Sequence, residues 1–403
     1  MATGDADRVR DYPLRSPAAL EPPAEWSTLR RECPVARVRL PSGDEAALLT
    51  RYEDVRQVLT DPRFPRQLNA PDAARVTAHE SGGVFSGALT TAMRQVDHQR
   101  WRRQVGRWFT ARRMAALRPR IEGMAERLVS GMAADGPPAD LRERLGFPLP
   151  VWVICELLGV PAEHRERFVY WSDTFLSLTR YSQAEIDAAQ EEFRAAMRRH
   201  VARTRARPGD DLLSALVTAV DATDVMPEEA LVATAQGLLV AGHETTAHMI
   251  GKMVGMLLAD RRRWERLLAD RTLVRTAVEE ALRLDANSGF GVPRYLTADV
   301  RVGGRLVRRG TTVVCSLAAA NRDERVFAAA SDMALDRSPN IHLAFGAGPH
   351  ACLGQALART ELQVVLEVLL RRLPDLALAV PPEELERLDG LVVGGLRRVP
   401  VRW

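Results

Sequence analysis

Apolar and polar residues alternate over two short runs, 36–40 and 46–50, on either side of Pro41-Ser42-Gly43-Asp44. A period of two broken by proline and glycine predicts an N-terminal β-hairpin. Farther along, apolar residues recur every three or four positions over 112–132, 168–178, 184–205, 228–258, 273–284 and 353–373, which predicts helices there. Residues 300–314 return to alternation and read as a small sheet. Between 63 and 91 lies a stretch rich in Pro, Gly, Ala and Ser with little periodicity. It is long for a connection inside a compact domain, so it is mobile or functional, and it is the first candidate for a substrate-facing loop.

The 403 residues would accommodate one large domain or two fused ones. No repeat, low-complexity segment or linker divides them, so the pattern describes one mainly α domain with minor β structure over 1–403. Hydrophobic residues at 46% and charged residues at 27% match a globular enzyme with a large core. The net charge of +4 is a small difference between 56 basic and 52 acidic residues spread along the chain, so no nucleic-acid footprint is present. The polar start MATGDADRVRDYPLRSP lacks the apolar centre of a signal peptide, and no apolar stretch reaches about 18 uninterrupted residues. A cytoplasmic protein without a membrane span is expected. Cys33, Cys155, Cys315 and Cys352 are scattered without CxxC spacing, against a disulfide framework or a zinc site.

One cysteine differs from the rest. Gly346, Gly348 and Pro349 precede Cys352, Gly354 follows it, and a helical run comes next. Such a loop opens a helix, where the dipole and exposed N–H groups favour a thiolate and can bond a metal-bound sulfur. On composition alone, the loop leaves two readings: this ligand, or one more small buried hydrophobe.

From Phe345 to Gly354 the chain reads FGAGPHACLG, which resembles the haem-binding signature of cytochrome P450 enzymes at every defining position. That resemblance implies a single large mainly α fold with a long central helix over haem b, and Cys352 as the axial iron ligand, with Phe345, Gly346 and His350 beside it. Glu280-Ala-Leu-Arg283 resembles the family's ExxR motif, whose partner arginine would here be Arg337. Read by spacing alone, Glu280 and Arg283 are a surface i,i+3 pair worth a few tenths of a kcal/mol. The family assigns the three to holding the cysteine loop.

The run 231–258 is apolar nearly all round, which marks a buried helix, yet it contains Ala241-Gly242-His243-Glu244-Thr245-Thr246. A buried carboxylate is costly unless partnered or used. This segment resembles the family's (A/G)Gx(D/E)T motif, which implies that Glu244 and Thr245 pass protons to dioxygen in a groove beside Ala241. Thr246 stays unassigned, and His243 and His248 read as satisfied histidines. His98 and Arg102, four apart on one helix face, match the family's HxxxR pattern. With Arg294 and His342 they are expected to bind the two haem propionates, because guanidinium forks suit carboxylates.

The resemblance further implies a small-molecule substrate, a monomer, and electrons from a separate ferredoxin and its reductase. Arg103, Arg107, Arg112 and Arg113 form a basic run that would suit an acidic ferredoxin or simply be a solvated face. The expected distal pocket draws on Gln67, Asn69, Phe85 and Leu89 in the loop, on Gly237, Val240 and Ala241, on Phe290 and Val292, and on Val392. These are mostly apolar or small, so a bulky, largely apolar substrate fits. The amides Gln67 and Asn69 either cap the loop or meet an amide-bearing ligand. The overall texture is similar to that of actinobacterial enzymes that tailor secondary metabolites, with oxidative coupling or hydroxylation of a tryptophan-containing cyclic dipeptide favoured over macrolide or terpenoid hydroxylation. A haem-thiolate sensor is the reading from another class; the Glu244–Thr245 pair argues against it.

Overall fold

In the computed structural model of the chain, the residues described are 8–66, 68, 70–78, 98–161, 165–219, 225–286 and 289–403. Helices α1 (Glu25–Glu32) and α2 (Tyr52–Thr60) enclose the hairpin β2 (Val35–Arg39) and β3 (Glu45–Leu49), whose register pairs Val35 with Leu49. The hairpin sits in a five-stranded sheet with β1 (Arg10–Asp11), β5 (Val292–Tyr295) and β8 (Thr312–Cys315), in the order β1-β2-β3-β8-β5. The alternation over 300–314 resolves into the β6/β7 hairpin (Val300–Val302, Arg305–Val307) and β8, which joins the larger sheet.

The helical part runs α3 (His98–Gly106), α4 (Ala111–Asp135), α5 (Pro148–Leu158), α6 (Arg165–Phe175), α7 (Gln183–Ala206), α8 (Leu212–Val217), α9 (Glu228–Leu258), α10 (Arg261–Ala269), α11 (Val274–Leu284), α12 (Leu317–Ala320) and α13 (Gln355–Arg372). Local chemistry starts several of them. Ser182 and Glu185 form a reciprocal capping box at α7, and Thr110, Asp211 and Asp260 accept backbone N–H groups at α4, α8 and α10. Helix α9 is buried over most of its length and packs on α5, α7 and α13, so its apolar circumference has a partner on every side. Helix α5, PLPVWVICELL, escapes a periodicity reading because it is apolar almost throughout.

The period over 168–178 overruns the helix, which ends at Phe175. Leu178 instead donates its N–H to the Gly390 carbonyl at 2.8 Å, and Val392 donates to Leu176 at 2.9 Å, so these residues dock the C-terminal hairpin. The first part of the 63–91 segment is packed rather than free. Asp72 accepts from the Tyr295 hydroxyl at 2.6 Å, and Ala74 N–H donates to Thr312 Oγ1 at 2.9 Å. Among the described residues, no helix is long and apolar enough to cross a membrane.

Candidate active site

The cysteine loop is shaped by backbone contacts. Cys352 N–H donates to the Phe345 carbonyl at 2.8 Å, and Gly346 N–H to Leu343 at 2.8 Å. Gly348 holds φ +70°, and a Cβ there would lie 2.8 Å from the Leu59 carbonyl and 2.9 Å from Thr60 Cα, so only glycine lets the loop lie on the end of α2. Cys352 stands two residues before the N-cap of α13. Its accessible surface faces a cavity of about 540 Å³. Burial raises its thiol pKa, against the Gly354 N–H and the charges of Arg102 and Arg359.

Behind the loop, Glu280 and Arg283 are fully buried and joined at 2.8 Å through both pairs of atoms. Arg337 Nε reaches both Glu280 oxygens at 3.0 Å, and Arg283 also donates to the carbonyls of Asn321, Ala330 and Asp332. The surface-pair reading is therefore wrong: these side chains tie α11 to the chain that leads into the cysteine loop. Burial pushes the Glu280 carboxyl up, but the guanidinium and backbone donors outweigh it and hold it down.

Facing Cys352, α9 gives the cavity Gly237, Val240, Ala241 and Thr245. Nothing stands within 4 Å of a Cβ built on Gly237, which leaves room there, whereas one on Gly242 would strike Ile154 at 2.6 Å, so Gly242 lets α9 approach α5. Thr245 donates its hydroxyl to the Ala241 carbonyl at 2.8 Å, bonding back within its own helix. Glu244 points the other way, into a fully buried cluster with His243 and His248. Val292 and Val392 also line the cavity.

One edge of the cavity is cationic. Arg66, His98, Arg102, Arg294 and His350 line it, with the His98 and His350 rings 4.2 Å apart. Burial, followed by the charges of His98, Arg66, Arg294 and Arg102, lowers His350 to about 3. Burial likewise lowers Arg294 to about 10 and depresses Arg66. Neither arginine has a carboxylate partner among the described residues. A buried cation such as Arg294 without a carboxylate partner, beside Arg66 whose side chain keeps accessible surface, calls for an anionic ligand.

Residues 165–376 match the family model for cytochrome P450. A mycinamicin IV hydroxylase/epoxidase of Micromonospora griseorubida is 44% identical, the match covering 98% of each chain. The nocardicin C N-oxygenase of Nocardia uniformis subsp. tsuyamanensis is 43% identical over 98% of this chain and 99% of its own. This chain belongs to the cytochrome P450 family. Among solved structures, the putative thioether synthase SgvP, from a tailoring step of griseoviridin, superposes with a TM-score of 0.91 at 39% identity, covering 98% of this chain and all of its own.

This P450 is thus a haem-thiolate monooxygenase of the bacterial secondary-metabolite type, and its cofactor is haem b. The residues present fit that group. No cluster of three or more His, Cys, Asp or Glu able to hold a metal occurs among the described residues, so a multidentate protein site is not available there. A porphyrin brings four ligands of its own and asks for one thiolate and cations for two propionates, which is what the cavity offers.

Two expected positions are corrected. His342 does not line the cavity: its Nδ1 accepts from Ala344 N–H and its Nε2 lies 3.0 Å from Glu279, which also binds Arg359. Its place at the cationic edge is taken by Arg66, which no motif signalled. Phe290 is 1% exposed and packs edge-on against Tyr12, whose hydroxyl donates to the Phe290 carbonyl, so it belongs to the core under the sheet rather than to the pocket. Phe175 and Leu176, read from sequence only as helix, do line the cavity. Gln67, Asn69, Phe85 and Leu89 lie outside the described residues.

Proposed function

We propose that this P450 hydroxylates or epoxidises a macrolide-like natural product, with Cys352 as the iron ligand, the edge formed by Arg66, His98, Arg102, Arg294 and the neutral His350 on the haem propionates, and Glu244 and Thr245 supplying protons. The observation that carries the reading is one cavity where the Cys352 thiol, arginines without carboxylate partners among the described residues (Arg66 and the buried Arg294) and a mostly apolar wall meet. Thiolate-bound haem supplies oxygen activation, because the electron-rich sulfur favours O–O cleavage.

The protein's own work is positioning. The ion-paired support under the loop holds the thiol, which would be bound as the thiolate by an iron seated there. Gly237 and Ala241 leave space beside Thr245, whose hydroxyl can receive a proton on its lone pairs while donating to Ala241. Electrons are expected from a ferredoxin and its reductase. Arg103, Arg107, Arg112 and Arg113 are solvent-exposed, as an acidic donor requires.

Macrolide chemistry is favoured over the cyclic dipeptide because the 44% identical relative is a mycinamicin IV hydroxylase/epoxidase. Difference spectroscopy of the haem protein against macrolides, terpenoids and tryptophan-containing cyclic dipeptides decides it. A type I shift with macrolides is expected; a shift with cyclic dipeptides alone reverses the assignment.

A further inference from the structure

On the face of α9 turned away from the cavity, polar atoms that burial ought to have paired are concentrated in one place. Both Glu244 oxygens, both His248 ring nitrogens, Asp173 Oδ1 and Arg142 Nε are buried without an aligned hydrogen-bond partner among the described residues. Such atoms are scarce in native interiors, and ordered water is the usual reason for them. Here they belong to one group. Glu244 Oε1 is 3.2 Å from His243 Nε2, and Oε2 is 3.2 Å from His248 Nε2, with all three side chains fully buried. Asp173, on α6, interacts electrostatically with Glu244, Arg180, Arg142 and His248.

The other contacts of His243 count the protons. Its Nδ1 lies 2.7 Å from the Leu239 carbonyl, which can only accept, so Nδ1 bears a hydrogen. Its Nε2 faces the Ser172 hydroxyl at 3.1 Å and the Glu244 carboxylate. In a neutral ring, that Nε2 is a lone pair aimed at a carboxylate lone pair in a fully buried site. One more proton, on His243 or on Glu244, removes the opposition and leaves the pair with no net charge, as burial favours.

We infer that His243 and Glu244 hold one exchangeable proton as a unit, with His243 a positioning residue for proton delivery at Thr245. The inference rests on the reading of Glu244 and Thr245 as proton donors given above. Burial pushes the Glu244 carboxyl up, while the two imidazoles beside it pull it down and outweigh burial.

When the proton leaves toward Thr245, His243 is left with its Nδ1 hydrogen alone and Glu244 ionised. One proton entering past Asp173 restores the pair, and no electron moves. Asp173 leads outward: its Oδ2 meets Arg180 at 3.1 Å and the Tyr181 hydroxyl at 3.4 Å, and the Arg180 side chain is 35% exposed. Beside the pair stand His248 on α9 and Ser172 from α6; Asp173 from α6 interacts with Glu244 and in turn with Arg142, before α5, and with Arg180 and Tyr181, beyond α6. The rings of Phe147 and Phe168, 5.5 and 6.4 Å from His243, pack beside them.

The test compares wild type, His243→Gln and Glu244→Gln as haem proteins supplied with ferredoxin, reductase and NADPH, following peroxide released per NADPH against pH. A glutamine at 243 donates to Glu244 but holds no proton, so the pH at which peroxide release rises should fall by about one unit, a tenfold change in proton concentration. An unchanged Glu244→Gln profile would remove the relay reading itself. A shifted Glu244→Gln profile beside an unchanged His243→Gln profile removes only the role of His243. Ring-nitrogen NMR of the wild-type protein needs no variant: a hydrogen held between His243 Nε2 and Glu244 is expected, and a bare Nε2 beside an ionised Glu244 overturns the inference.

Discussion

At Thr245 the back-bond to Ala241 and the cavity position together define a hydroxyl that is held in place at the cavity wall. Thr245→Ala should keep oxygen uptake but divert it to peroxide, and equal product per NADPH in variant and wild type would deny Thr245 its role. Glu361 poses the opposite problem. It is fully buried in α13 with neither oxygen bonded among the described residues, and burial holds its carboxyl well above the ordinary value of 4.5. A carboxyl whose folded pKa is raised must take up a proton on folding once the pH exceeds its unfolded value, so it costs stability as the pH rises above about 4.5. Glu361→Gln should therefore gain stability over wild type between acid and neutral pH in thermal unfolding. A gap that stays constant with pH would mean that Glu361 is ionised and partnered.

Between elements, the buried Glu280, Arg283 and Arg337 link α11 to the segment entering the cysteine loop. Removing one partner of such a buried pair costs about 3–5 kcal/mol, because the other charge is stranded. Arg283→Met should lower the unfolding temperature and the haem retained after gel filtration; native stability with full haem content would show that the network does not support the loop. Here the sequence was legible in uneven ways. The hairpin and the long helices follow from period, and the cysteine loop from its glycines and proline. The burial of Glu280 and Arg283 could not come from an i,i+3 spacing, since a surface pair has the same spacing. Arg66 was hidden because its setting depends on β5 and α3 converging on one cavity, and a motif reports neighbours in sequence only. His342 and Phe290 misled for the same reason: both sit beside true cavity residues in the chain, but Glu279 and Tyr12 turn them elsewhere.

For the molecule as a whole, the sheet and the helical region each bring part of the site to one cavity. Strand β5 brings Arg294, α3 brings His98 and Arg102, α9 brings Thr245, and the loop before α13 brings Cys352. Four distant stretches of chain thus meet around one group, which is why the fold has to be complete before haem can be held. Neither Arg294, buried at this edge, nor Arg66 has a carboxylate partner among the described residues, so haem binding should itself raise the unfolding temperature. The central claim, however, is that sulfur from Cys352 binds the iron. Carbon monoxide added to the reduced protein should move the Soret band to the long wavelength typical of thiolate-bound haem, and Cys352→Ser should lose that band while still folding. Persistence of the long-wavelength band in Cys352→Ser would contradict the account.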